Sequence, residues 1–361
     1  MNAARDAVIE LTDVSFRYAG TDAGVHGIDL TIRPGELVAI IGASGCGKST
    51  LLKVIAGFLP AQAGRVAIGG RDATGLPPRR RDLGVVFQSY ALFPHMRAWE
   101  NVAYPLKLRG HDRAIRQRAA RAMLERVGMT AHANMLPAQL SGGQQQRIAL
   151  ARALVFNPKA LLLDEPLSAL DAALRQEMRD EIRRLQRDHA IATLHITHDQ
   201  EEALSMADRV AVMAAGRLVQ IGAPREIYER PATRAVAAFV GQANLWDGRI
   251  AGPSAVDTAL GRLVTLPHGG RDGAAVTVLV RPERLRLGRG PDGVNQFTGA
   301  VARDRFLGSL RRFDYHTASG IMLGETSEPG DISAVHIPPA AVQLLPAAES
   351  IVSMEPERSM Q

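Results

Sequence analysis

Cysteine is nearly missing from this chain: Cys46 stands alone among 361 residues. A single thiol excludes an internal disulfide framework and fits a reducing cytoplasm. Long apolar runs are missing as well. No stretch reaches the roughly 18 consecutive apolar residues of a membrane-crossing helix. The N-terminal MNAARDAVIELTDV also lacks the apolar centre of a signal peptide, so any membrane role is expected to be peripheral. Aromatic residues are scarce at 4% and are not interleaved with the arginines as in nucleic-acid readers. The formal net charge of +6, with runs at Arg79-Arg80-Arg81 and Arg311-Arg312, is therefore read as solvated surface, and no direct nucleic-acid contact is expected. The remaining composition, 46% hydrophobic and 22% charged, is that of a globular protein long enough for two domains.

Against this plain background one stretch stands out, GASGCGKST from Gly42 to Thr50. It fits the phosphate-loop pattern G-x-x-x-x-G-K-[ST] through Gly42, Gly47, Lys48 and Ser49. The apolar run from Glu36 to Ile41 predicts a buried strand before it, and Leu51 to Leu59 predicts a helix after it. Strand, glycine loop and helix together place backbone N–H groups and the positive end of a helix on one anion. Gly42, Ala43, Ser44, Gly45, Cys46, Gly47, Lys48, Ser49 and Thr50 are thus the expected nucleotide loop. Lys48 is expected on the β- and γ-phosphates and the Ser49 hydroxyl on Mg2+. Cys46 reads as a small filler at a variable position, because no histidine partner is at hand to make it a nucleophile.

Taken in order, Val8–Val14 and Gly27–Ile32 read as strands of an antiparallel flap, with Tyr18 between them as either a half-buried strand residue or a platform for adenine. Gly64–Gly70 and Leu83–Gln88 read as further strands, the second ending in Gln88. A loop with exposed aromatics follows, then a helix over 112–127 whose inner face is expected to be Ile115, Ala119, Ala122, Met123 and Val127. Ser141 is a plausible N-cap for a helix ending before Pro158. Ala160–Pro166 reads as an apolar strand finishing in two carboxylates, Asp164 and Glu165. A helix over 172–189 with Leu174, Met178, Ile182 and Leu185 inward leads to the strand Ala192–His198, which also ends in a titratable side chain. Such alternation predicts a mainly parallel sheet with its site at the strand ends. After about Ala243 short strands between Gly, Pro and Asp turns predict a small all-β domain, with a frayed tail over 347–361.

Hydrolysing a γ-phosphate calls for a cradle, a metal, a base for water and positive groups at the developing charge. Asp164 is placed to hold Mg2+, and Glu165 to face water as general base. Gln88 and His198, ordinary strand-end residues in isolation, become candidates for sensing the metal and for holding phosphate and water in line. In this order the phosphate loop, Gln88, LSGGQQQR, LLLDEP, Ser168-Ala169-Leu170-Asp171 and His198 resemble the ATP-binding cassette (ABC) ATPase family over about residues 8–240.

The resemblance implies an α/β phosphate-loop NTPase domain over 1–240, with an antiparallel β flap and a helical subdomain at about 90–157. An accessory OB-like β-barrel domain over 241–361 would follow, with Leu279-Val280-Arg281-Pro282-Glu283 and Phe306-Leu307-Gly308 as its landmarks. It also implies a head-to-tail dimer in which Ser141, Gly142, Gly143 and Gln144 of one copy meet the ATP held by the other. Asp171 would lie at that interface and Tyr18 on adenine. The implied role is the ATP-hydrolysing subunit of a bacterial importer, on the cytoplasmic face of the inner membrane. Two transmembrane permease subunits would be its direct partners and an external solute-binding protein an indirect one, with a polyamine or ferric iron as the solute. A soluble ABC ATPase acting on ribosomes or nucleic acid is the alternative, and it would call for two cassettes in one chain or a long coiled coil.

Overall fold

A parallel sheet is stable when both of its faces are buried, and this chain builds one from runs of aliphatic residues. The computed structural model describes residues 7–290, 293–330 and 332–347. It divides into two compact units, residues 1–224 and 225–361. In the first, β1 (Ile9–Arg17), β2 (Gly24–Ile32), β4 (Ala63–Ile68) and β5 (Arg71–Asp72) form the antiparallel flap in the order β2-β1-β4-β5. A second sheet holds β3 (Leu37–Ile41), β6 (Leu83–Val86), β7 (Ala160–Asp164), β8 (Ala192–Ile196), β9 (Arg209–Ala214) and β10 (Arg217–Gly222). Its order is β10-β9-β3-β8-β7-β6, parallel except for the β9–β10 pair.

Side-chain alternation sorts this sheet onto two cores. Leu161 and Leu163 of β7 join one cluster with α4 (Gly142–Leu154) and α5 (Ala172–Asp188), while Ala160 and Leu162 join the other with α1 (Lys48–Ala56) and the flap. Each fully buried leucine contributes about 2 kcal/mol relative to exposure. The helical subdomain adds α2 (Ala98–Leu108) and α3 (Arg113–Arg126) to the first of these cores.

The inner face of α3 differs from the sequence expectation. Ala120, Met123, Leu124 and Val127 are buried, whereas Ile115 and Ala122 are exposed. The i, i+3, i+4, i+7 spacing from Ala120 brings Leu124 inside, and alanine, costing little in water, fits either face of this arginine-rich helix. Tyr90, expected among exposed aromatics, is buried as well.

In the second unit a short helix, Arg234–Phe239, precedes two antiparallel sheets of five strands. β11 (Asn244–Ile250), β12 (Ala255–Thr258), β13 (Gly261–Val264), β14 (Ala275–Val280) and β20 (Gln343–Pro346) make one, ordered β13-β12-β11-β14-β20. β15 (Arg286–Leu287), β16 (Gln296–Phe306), β17 (Arg311–Thr317), β18 (Gly320–Thr326) and β19 (Ala334–His336) make the other, ordered β15-β19-β16-β17-β18. Beyond Ala347 the expected frayed tail lies outside the described residues.

Residues 225–241 belong with these strands, so the division falls at Pro224 rather than near Gly241. Arg281 shows why: it is buried at the end of β14 and donates to the carbonyls of Tyr228, Ala237 and Gln242, with its guanidinium stacked 4.1 Å from the Tyr228 ring. The Tyr228 hydroxyl donates to Glu283, and burial pushes its pKa up to about 12. Arg281→Met is expected to leave those carbonyls unpaired and to cost about 2–4 kcal/mol. A fall in the urea midpoint of the intact chain would register it, and an unchanged midpoint would show the three bonds to be dispensable.

Candidate active site

The nucleotide loop leaves β3 at Ile41 and closes at Lys48, the first residue of α1. Two glycines are fixed by space. A Cβ on Gly42 would come 2.3 Å from the Met213 carbonyl of β9, and one on Gly47 would come 2.6 Å from the Gly24 carbonyl of β2. Gly47 also sits at φ 108°, outside the comfortable range of other residues. α1 starts without a side-chain cap, so its first-turn N–H groups face the loop's concavity with the positive end of the helix dipole behind them. Lys48 is buried and donates to the carbonyls of Gly42 at 2.8 Å and Ala43 at 3.0 Å, cinching the loop with two of its three hydrogens. Cys46 packs beneath, its Sγ 3.9 Å from the Lys48 Nζ, and burial pushes its thiol up and keeps it protonated at neutral pH.

β7, two strands along the sheet from β3, delivers both carboxylates. Asp164 at the end of β7 accepts the Ser49 hydroxyl at 3.0 Å. Burial raises its pKa, opposed by that hydrogen bond and raised further by the neighbouring Glu165 charge. Glu165 leaves the strand in the left-handed region at φ 47°, a conformation a non-glycine residue rarely adopts. Its amide donates to the Ile196 carbonyl of β8, and its own carbonyl accepts from the Ser168 hydroxyl and amide. The kink swings the side chain to His198, whose Nδ1 lies 2.9 Å from Oε2. Glu165 is mostly enclosed at 19% side-chain exposure, while His198 stands out at 61%.

A cleft of about 320 Å³ gathers Tyr18, Gly45, Lys48, Thr50, Glu165 and His198. The Tyr18 hydroxyl lies 3.3 Å from Thr50 Oγ1, and its ring meets Phe16 edge-on. The unpaired N–H groups at the start of α1, a cation, the Ser49 hydroxyl that reaches back to Asp164, and an acid–imidazole pair therefore sit around one space.

Other sequence candidates lie elsewhere. Gln88 is exposed past the end of β6 and outside the lining of the cleft. Ser141 caps α4 through a reciprocal pair of bonds with Gln144, and Asp171 caps α5 through the Leu174 amide. These two segments abut each other: a Cβ on Gly143 would meet the Leu174 side chain at 2.9 Å, and one on Gly142 would touch Leu170.

The sequence reading passed over several supporting residues. Arg152 donates to the carbonyls of Tyr90 and Ala91, both at positive φ, and buried Asn101 bonds Phe93 and Met96, so the segment after Gln88 is fastened at both ends. Behind His198, fully buried His195 pairs with Glu202, which also accepts from Thr197. A histidine inside an otherwise apolar strand was the available signal, because such a ring needs a buried partner.

A family model described as "ABC transporter" matches residues 25–168. The chain is 47% identical over 326 residues to the spermidine/putrescine import ATP-binding protein PotA of Thermobifida fusca, covering 86% of this chain and 83% of that one. It is 44% identical to the Fe(3+) ions import ATP-binding protein FbpC of Agrobacterium fabrum, over 84% of this chain and 86% of that one. The PotA of Pseudomonas fluorescens is 41% identical over 94% of this chain and 98% of its own. Among solved structures, cbiO1 from Clostridium perfringens, titled as part of the ABC transporter complex cbiONQ, is similar at a TM-score of 0.57 and 27% identity. That likeness covers 62% of this chain and 92% of the other.

Proposed function

The chain belongs to the ABC transporter family, and on that footing we propose how the residues of its cleft divide the work of ATP hydrolysis. The protein is the ATP-hydrolysing subunit of an importer, coupling ATP binding and hydrolysis to solute uptake through separate membrane permease subunits. It works at the periphery of the inner membrane, and among the described residues no helix is long and apolar enough to cross one. Importer relatives speak for this reading over a soluble ATPase acting on ribosomes or nucleic acid.

In our reading Tyr18 stacks on adenine, residues 42–50 cradle the phosphates and Lys48 meets the β- and γ-phosphates. Ser49 and Asp164 offer paired hard oxygen donors, and the half-buried Asp164 carboxyl, its pKa raised by desolvation, is of the kind a cation relieves. They would hold Mg2+, which when bound neutralises phosphate charge, and Gln88 would approach it from the loop beyond β6. The observation that carries the assignment is the Glu165–His198 pair at 2.9 Å beside Lys48 in one cleft. His198 occupies one carboxylate oxygen and leaves the other for water. As the water oxygen bonds to the γ-phosphorus and the bridging P–O bond to ADP breaks, Glu165 takes the water proton.

Ser141, Gly142, Gly143, Gln144 and Asp171 fall outside the lining of this chain's own cleft, and we assign them to the cleft of a second copy. The helix N-terminus at Gly142 would then add another dipole to the γ-phosphate. The solute is proposed to be a polyamine or ferric iron, cations that an external binding protein would present to the permease. To test this, Glu165→Gln protein with ATP is captured from detergent-solubilised membranes of its source, and co-purifying proteins are identified. Two multispanning proteins are expected, and their binding protein should take spermidine, putrescine or Fe3+ in titration. Recovery of ribosomal proteins alone would sink the importer reading, and a binding protein indifferent to these cations would sink the solute assignment.

A further inference from the structure

His198 is fixed by little of its own. Its side chain is largely exposed and makes one bond, to Glu165, so its place depends on the backbone turn that carries it. That turn is clamped on both sides. Thr197 Oγ1 accepts the Asp199 amide at 2.9 Å and donates to buried Glu202 at 2.7 Å. Asp199 Oδ1 accepts the amides of Glu201 and Glu202 and so caps α6 (Gln200–Met206). The other oxygen, Oδ2, is thereby left for a partner outside the turn, and Arg175 Nη1 stands 3.5 Å from it.

Arg175 comes from the first turns of α5, just after the segment Ser168–Asp171. Its Nη2 donates to the Leu170 carbonyl at 3.0 Å, one residue before Asp171. On the reading that Glu165 and His198 form the hydrolytic pair, we propose that Arg175 is a positioning residue, tying the loop that bears Asp171 to the turn that bears His198. Two features argue for this over a fastening role in the core. The apolar seat of α5 is made by Met178, Ile182 and Leu185, and α6 is capped by the other oxygen of Asp199. The guanidinium is spent on two loops of the site while its Nε is buried with no acceptor. A planar fork spans the two acceptors where an ammonium reaches one. Whatever contacts Asp171 from outside therefore has a short route to the orientation of His198.

The test uses Arg175→Lys and Asp199→Asn, each in the native chain and in the His198→Ala background. Both changes keep polar character, and the asparagine oxygen still caps α6. We expect each to lower kcat by about tenfold with KM for ATP moving less than about twofold, and to add no further loss once His198 is gone. Native turnover in both variants would overturn the inference. So would a full additional loss in the His198→Ala background, since that is how a residue acting through general stability behaves. If His198→Ala itself turns over normally, the hydrolytic pair falls instead, which separates the two failures.

Discussion

Glu165→Gln should hydrolyse ATP about 10²- to 10³-fold more slowly than the native protein while still binding it. The change removes one function and little else. Glutamine matches glutamate in shape, so the left-handed backbone at φ 47° is no more strained than before, and the bonds from Ser168 and to Ile196 are made by main-chain atoms. Its amide oxygen still accepts a bond from His198 Nδ1, but an amide cannot take the proton of an attacking water. Binding without turnover should trap the ATP-bound state, and if two copies close around nucleotide, that state runs as a dimer in size exclusion. Single-turnover assays and light scattering read the two effects separately. Turnover within a fewfold of native would remove Glu165 from the role of base, and the kink at that residue would then have no account in the chemistry.

The chemistry-bearing loops were legible in the sequence because each follows an apolar strand. Gly42–Thr50, Asp164-Glu165 and His198 all stand where a buried run gives out, and a parallel sheet gathers such ends at one edge. The Glu165–His198 bond itself was not legible, since it depends on β7 and β8 lying side by side and on a backbone kink that no pattern announces. Fixing β3 between β8 and β9 likewise requires the whole chain. Alanine blurred the face of α3, where Ala119, Ala120 and Ala122 are compatible with two neighbouring stripes and Leu124 decides between them. Local periodicity is equally blind to Arg281, which fastens 225–241 to β14 from far along the sequence.

Ser141→Arg carries the second large effect, a loss of hydrolysis on the order of 10²-fold with single-copy nucleotide binding intact. In one copy Ser141 is exposed and lies outside the cleft lining, so a substitution there has no path to the bound phosphates unless a second copy brings it to them. Loss of the cap on α4 costs about 1 kcal/mol, too little to unfold the subdomain, and Ser141→Ala isolates that cost without adding bulk or charge. Mixing distinguishes the cases further. Combined with a Lys48→Ala copy, a Ser141→Arg copy leaves one of the two shared clefts with both defects and the other with none. Turnover in the mixture should therefore recover to on the order of a quarter of the native rate, although neither variant is active alone. A cleft complete within each copy predicts that the mixture gives only the sum of the two separate rates, with no gain on mixing. It also predicts that Ser141→Arg alone retains its activity, so either result would confine the catalytic machinery to one chain and return Ser141 and Asp171 to the plain work of capping helices.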